Sequence, residues 1–239
     1  IPDQQITTLI GPNGCGKSTL FRILTRLLPA RTGTIYLDDR DIHSIRSKTV
    51  ARTLGLLPQN PSAPDGLTVE DLVSRGRHPH QSWLKQWSSA DERAVARALD
   101  LTGTADLADR TLDALSGGQR QRVWIALALA QETDLLLLDE PTTYLDLAHS
   151  IEVLDLVHEL KHTHHKTIVM VLHDLNLAVR YSDRLFVMCD GEIMADGTPD
   201  EVITTDLLES AFGLRAQIIA DPVTGGPLIV PIDRRGTSS

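Results

Sequence analysis

The chain has 239 residues, 41% of them hydrophobic, and a formal net charge of -9, enough for one sizeable domain with a full core or a core carrying a smaller lobe. Its acidic balance excludes the basic face of a nucleic-acid binder, and no apolar run approaches the roughly 20 residues that cross a bilayer. With no secretory leader the chain is expected to be cytoplasmic and soluble, with Cys15 and Cys189 as two reduced thiols in unrelated contexts.

The start, IPDQQ, lacks an initiator Met and is expected to mark a missing natural N-terminus. ITTLIG, Ile6 to Gly11, is a short β-prone run ending in glycine and proline. A helical pattern then runs through LFRILTRLL and stops at Pro29. GTIYLDD is predicted to be a strand entering a turn, and TLGLLPQN a strand ending at Pro58. Between Pro61 and Leu115 the pattern is helical, in VEDLVSRG and ADERAVARALDLTG, with few strand signals. This predicts a helical subdomain over 61–130 inserted into a core made of 1–60 and 131–239.

The core resumes with DLLLLDE, a continuous apolar run suited to a parallel strand buried on both faces. SIEVLDLVHELKH is an amphipathic helix and TIVMVLHD a second buried strand. RLFVMCDGEIMADG is predicted to be a hairpin turning at Asp190-Gly191. Short helices follow Pro199, and RAQIIADPVTGGPLIVPI suggests two small strands. Alternating strands and helices predict one α/β domain with a mainly parallel sheet and a small antiparallel portion.

Gly11, Pro12, Asn13, Gly14, Cys15, Gly16, Lys17, Ser18 and Thr19 fit G-x-x-x-x-G-K-[ST] between a predicted strand and helix. The glycines let successive N–H groups face an anion, and the helix adds its positive dipole end. Lys17 supplies a point charge for the β- and γ-phosphates of ATP, and Ser18 a hydroxyl for Mg²⁺. Asp139, ending a buried strand, can hold the same ion through its water shell. Glu140 is placed to accept a proton from an attacking water.

LSGGQRQR supplies a second glycine-led helix start. Ser116 is the N-cap, Gly117 and Gly118 permit close backbone approach, and the helix dipole follows. The first loop already surrounds one nucleotide, so the second is suited to the γ-phosphate of an ATP held by another chain. That predicts a head-to-tail dimer.

GPNGCGKST, LPQN, LSGGQRQR, LLLLDEPTTYLD and VLHD, in that order, resemble the nucleotide-binding subunit of an ABC transporter, and the resemblance covers nearly the whole chain. It implies a P-loop NTPase core of the ABC type, with Gln59 reaching Mg²⁺ and the attacking water. It implies that Ser116, Gly117, Gly118 and Gln119 bind the partner's γ-phosphate, and that Asp146 communicates between the two sites. His173 is implied to contact the γ-phosphate and to hold Glu140 and the water in register. The family's adenine-stacking aromatic lies on a strand upstream of the phosphate loop, for which this chain is too short, so none is assigned.

Without a membrane span, the resemblance implies a separate integral-membrane permease and a position on the cytoplasmic face of the membrane. GLTVEDLVSRGRHPHQSW and DPVTGGPLIVPI resemble ATPases of iron(III)-siderophore and vitamin B12-type importers, the tail that of the ferric-enterobactin-type branch. The expected function is ATP hydrolysis driving siderophore import, with a siderophore-binding protein as indirect partner. Vitamin B12, haem, lipid or amino-acid cargo and a soluble non-transport ABC ATPase are the alternatives. His158, His162, His164 and His165 are read as a solvated helix end.

Overall fold

The computed structural model describes residues 1–81 and 87–232. Ser82 and Trp83, which belong to the importer-like segment quoted above, lie outside the described residues.

Four apolar runs become parallel strands whose C-terminal ends line one edge of a sheet. These are β1 (Ile6–Ile10), β4 (Leu54–Leu57), β5 (Leu135–Asp139) and β6 (Thr167–Val171). With β7 (Arg184–Cys189) and β8 (Glu192–Gly197) they form a six-stranded sheet in the order β4-β5-β6-β1-β7-β8. Every neighbouring pair is parallel except β7 and β8. The interior strands are buried on both faces: Leu136, Leu137, Leu138, Ile168, Val169 and Met170 are each at most 1% exposed. Burying each such side chain stabilises the fold by ~1.5–3 kcal/mol, which fixes the register and so the height at which the chain leaves each strand.

Among the described residues two short ladders complete the strands: β2 (Tyr36–Leu37) with β3 (Arg40–Asp41), and β9 (Ala216–Ala220) with β10 (Pro227–Pro231), both antiparallel. The helices are α1 (Lys17–Leu24), α2 (Ser47–Thr53), α3 (Val69–Ser74), α4 (Ser89–Leu101), α5 (Gly117–Ala130), α6 (Leu147–His164), α7 (Leu175–Tyr181), α8 (Pro199–Val202) and α9 (Thr205–Phe212). The parallel sheet with helices and a small antiparallel portion is the expected α/β architecture.

Helices α3, α4 and α5 pack on one another, and α5 also lies against β4 and α6. That explains why α5 is apolar on nearly all sides, with Val123, Ile125, Ala126, Ala128 and Ala130 fully buried. Gly76 allows the closest approach: a Cβ there would lie 2.4 Å from the Leu127 carbonyl oxygen. Arg77, 3% exposed, ties these helices together, donating from Nε to Asp91 at 2.9 Å and from Nη1 to the Ala130 carbonyl at 2.6 Å.

Local departures from the sequence reading have visible causes. Helix α1 ends at Leu24, short of Pro29, because Arg26 adopts a left-handed backbone (φ 61) and reaches the Ile45 carbonyl at 2.8 Å. The strand in GTIYLDD is confined to Tyr36–Leu37, and the turn expected after it forms at Asp38 and Asp39, both left-handed (φ 50 and 59). Helix α2 carries no strong apolar periodicity; Val50 is its one buried residue. The hairpin at Asp190-Gly191 forms as expected, with φ 50 and 85, and Gly191 donates to the Cys15 carbonyl at 3.1 Å.

The tail ladder is tied to α7. Arg180 donates to Asp221 at 2.6 Å, and this bond, with the Val223 backbone N–H, lowers the Asp221 carboxyl from its ordinary 3.8 to about 2. A depressed folded pKa adds stability that is complete above the ordinary value and lost as pH falls through about 2. Thermal melts are therefore expected to show Asp221→Asn less stable than the parent near neutral pH. That gap should close as the medium is acidified from about pH 4 to about pH 2; a gap independent of pH would remove the ion pair as its cause.

Candidate functional site

The turn after β1 is shaped for an anion. A Cβ on Gly11 would lie 2.1 Å from the Met188 carbonyl oxygen, so the chain can leave the strand there only as glycine. Gly14 and Gly16 take left-handed φ values of 80 and 105, and α1 starts at Lys17. Lys17 is 5% exposed and donates from Nζ to the Gly11 carbonyl at 2.8 Å and the Pro12 carbonyl at 3.0 Å. The loop thus curls around an ammonium group at a helix N-terminus. Ser18 is half-buried on the first turn and Thr19 exposed. Cys15 is buried in a cluster with Phe21 and Met188.

Adjacent strands bring three further groups to the same edge of the sheet: Gln59 beyond β4, Asp139 and Glu140 at the end of β5, and His173 beyond β6. Glu140 is the centre. Its Oε2 accepts from Gln59 Nε2 at 2.6 Å and from Thr143 Oγ1 at 2.9 Å, while His173 Nε2 lies 2.6 Å from Oε1. Burial would raise this carboxyl, but the hydrogen bonds from Thr143, His173 and Gln59 outweigh it and hold the group below its ordinary value. Glu140 also has a left-handed backbone, φ 55, unusual for a residue with a side chain. Glu140, Thr143, His173, Asp174 and Leu177 line a cleft of about 380 Å³.

Asp139 differs in kind. It is 6% exposed, and its Oδ1 is buried with no hydrogen-bond partner. Burial first, then the neighbouring Glu140 charge, raises its carboxyl above the ordinary value. An unpaired buried carboxylate oxygen is costly unless a cation answers it. With Gln59 it lines a small cleft of about 120 Å³ beside α1. These donors, all oxygen or amide, suit a hard divalent cation such as Mg²⁺.

The second glycine-led helix start stands apart from these groups. Ser116 Oγ accepts from the Gln119 backbone N–H at 3.2 Å, and Gln119 Oε1 accepts from the Ser116 N–H at 3.0 Å, closing a capping box. Ser116 and Gly117 are exposed, whereas a Cβ on Gly118 would lie 2.5 Å from His149 Cδ2. Among the described residues no hydrogen bond joins Ser116–Gln119 to the loop Gly11–Thr19. Asp146 caps α6, its Oδ1 accepting from the His149 N–H at 2.9 Å and lying 2.7 Å from His149 Nδ1. The tip of α5 and Asp146 therefore share one surface. Tyr144, 89% exposed with φ 65, projects beside them.

Thr143 escaped the sequence reading, although the threonine pair directly after Glu140-Pro141 was a legible signal for a hydroxyl reaching back to the carboxylate. Arg22, whose charge partly offsets the rise at the Asp139 carboxyl, was hidden by its place on α1 among apolar residues.

The sequence profile described as ABC transporter matches residues 1–143. The petrobactin import ATP-binding protein FpuD of Bacillus anthracis is 56% identical, over 97% of this chain and 85% of its own. The ferric enterobactin transport ATP-binding protein FepC of Escherichia coli (strain K12) is 51% identical, over 100% of this chain and 88% of its own. Among solved structures, the dimeric bacterial ABC transporter cassette MJ0796 superposes with a TM-score of 0.72 at 27% identity, over 83% of this chain and 87% of that one. A phosphate loop, a strand-end carboxylate pair, a separate capped glycine tip and relatives matched along almost their full length agree: the chain belongs to the ABC transporter family.

Proposed function

We propose that the chain is the ATP-binding and ATP-hydrolysing subunit of an importer for iron(III)-siderophore complexes. The convergence of Gln59, Thr143 and His173 on the Glu140 carboxylate, beside the phosphate loop, is the observation that carries the enzymatic reading. The cargo reading rests on relatives such as FpuD and FepC, whose names specify petrobactin and ferric enterobactin.

The loop from Gly11 to Thr19 binds the triphosphate, with Lys17 turning its ammonium from the loop carbonyls to the β- and γ-phosphates. Ser18, Gln59 and Asp139 would hold Mg²⁺, which when bound would offset the negative charge of the phosphates. A second chain presents Ser116, Gly117, Gly118 and Gln119 to the γ-phosphate, and Asp146 links the two sites. That MJ0796 is described as dimeric supports a pair of subunits, which this contact requires.

Closure excludes bulk water and assembles Glu140, His173 and Gln59 around one bound water beside the γ-phosphate. Glu140, kept in register by His173, takes the proton of that water as its oxygen attacks the γ-phosphorus. The bond from the γ-phosphorus to the β-bridging oxygen breaks, and ADP and phosphate leave. Loss of the γ-phosphate removes the tie between the subunits, and the difference between the ATP and ADP states is what can drive a permease. None of the described helices is long and apolar enough to cross a membrane. Relatives named as ATP-binding proteins of import and transport systems support the remaining part of the reading, a separate integral-membrane permease with this subunit on its cytoplasmic face.

Uptake of a labelled ferric siderophore tests the cargo. Cells lacking the chain are expected to lose uptake, to regain it with the parent, and not to regain it with Lys17→Ala. Normal ferric-siderophore uptake in those cells, with loss of a different cargo, would overturn the assignment.

A further inference from the structure

Helix α7 starts two residues after His173, and its first turn is held from two sides. On the cleft side, Asp174 caps it, accepting from the Leu177 N–H at 2.9 Å. On the other side, Asn176 faces β10: its Nδ2 donates to the Ile229 carbonyl at 3.1 Å and its Oδ1 accepts from the Ile229 N–H at 2.8 Å.

In the antiparallel ladder Ile229 stands opposite Ile218. Every second residue of such a ladder turns its N–H and C=O away from its partner strand. Ile229 is only 3% exposed, so these two groups would be buried and unpaired without Asn176. An asparagine amide carries one donor side and one acceptor side, the complement of a backbone N–H and C=O. Asn176 therefore stands in for a third strand. One helical turn on, Arg180 bonds Asp221 at 2.6 Å, so two side chains spaced i, i+4 fasten α7 to one hairpin, at the middle of β10 and at the turn.

We propose that the tail hairpin, Ala216 to Pro231, belongs to the hydrolytic apparatus, and that Asn176 is a positioning residue which aims His173 at Glu140. The inference rests on the role given to His173 above. The hairpin holds α7, α7 sets the direction in which the chain leaves β6, and that direction places the His173 imidazole 2.6 Å from the Glu140 carboxylate. Displacing a reacting constellation by as little as about 1 Å can cost about 100-fold in rate.

The test uses the full chain with Asn176→Ala, the nearly isosteric Asn176→Asp, which replaces the donor by a charged acceptor facing the Ile229 carbonyl, and each combined with His173→Ala. ATPase rates are normalised to the number of ATP-binding sites, so unfolded protein does not count. We expect kcat to fall by about 10-fold or more in both single variants, with KM for ATP changed by less than about 2-fold. In the His173→Ala background, followed under single-turnover conditions, the Asn176 substitutions are expected to add no further loss. Parental kcat in both Asn176 variants would overturn the proposal, as would an equal fractional loss with and without His173, which marks a general structural role. If His173→Ala itself turns over at the parental rate, the role of His173 falls first and this inference falls with it.

Discussion

Glu140→Gln is expected to bind ATP as the parent does while its turnover drops by about 100-fold or more, the usual contribution of a positioned general base. The amide keeps the size of the side chain and can still pair with Gln59, Thr143 and His173, but it cannot take a proton from water. Binding is spared because the triphosphate is held elsewhere, by the loop around Lys17. The two subunits should accumulate as a closed dimer, because the γ-phosphate that ties them is no longer removed. Equilibrium ATP binding, steady-state phosphate release and size-exclusion chromatography with ATP report the three quantities separately. Parental turnover in this variant would exclude Glu140 as the base.

Lys17→Ala acts one step earlier. The ammonium is buried and already engaged with the Gly11 and Pro12 carbonyls at 2.8 and 3.0 Å, so its removal both deletes a charge and loosens the loop that surrounds it. A charge-assisted hydrogen bond contributes ~1.5–3 kcal/mol, so ATP affinity should fall about 10- to 100-fold. Turnover at saturating ATP should fall as well, since the γ-phosphate loses a positive partner. Titration with ATP measures the first effect. An unchanged affinity in a folded variant would remove Lys17 from the phosphate site.

The two variants separate binding from chemistry, a separation already readable in the sequence. The glycine spacing around Lys17, the apolar run ending in Asp139-Glu140 and the second glycine start at Ser116 each have a local physical signature. The alternation of buried strands with helices made the parallel sheet legible, because short continuous apolar runs bounded by turn residues suit strands covered on both faces. The meeting of Gln59, Glu140 and His173 was less local. It follows from strand order, β4-β5-β6-β1, which no short stretch encodes; the family resemblance supplied only the roles of the three residues.

The misses have the same origin. Helix α1 stops at Leu24 because of a hydrogen bond from Arg26 to Ile45, a contact 19 residues away that apolar spacing cannot reveal. Thr143 matters only because the left-handed turn at Glu140 folds the following residues back over the carboxylate. Asn176 looked like an ordinary polar residue on a helix until the tail hairpin presented Ile229 to it, 53 positions further on.

The decisive measurement is the structure of Glu140→Gln with ATP and magnesium as an assembled pair of subunits. Ser116 and the backbone N–H groups of Gly117 and Gly118 should lie within hydrogen-bonding distance of a γ-phosphate held by the other subunit's phosphate loop. A pair in which Ser116 faces solvent, remote from either nucleotide, would contradict the shared site and the closure mechanism built on it.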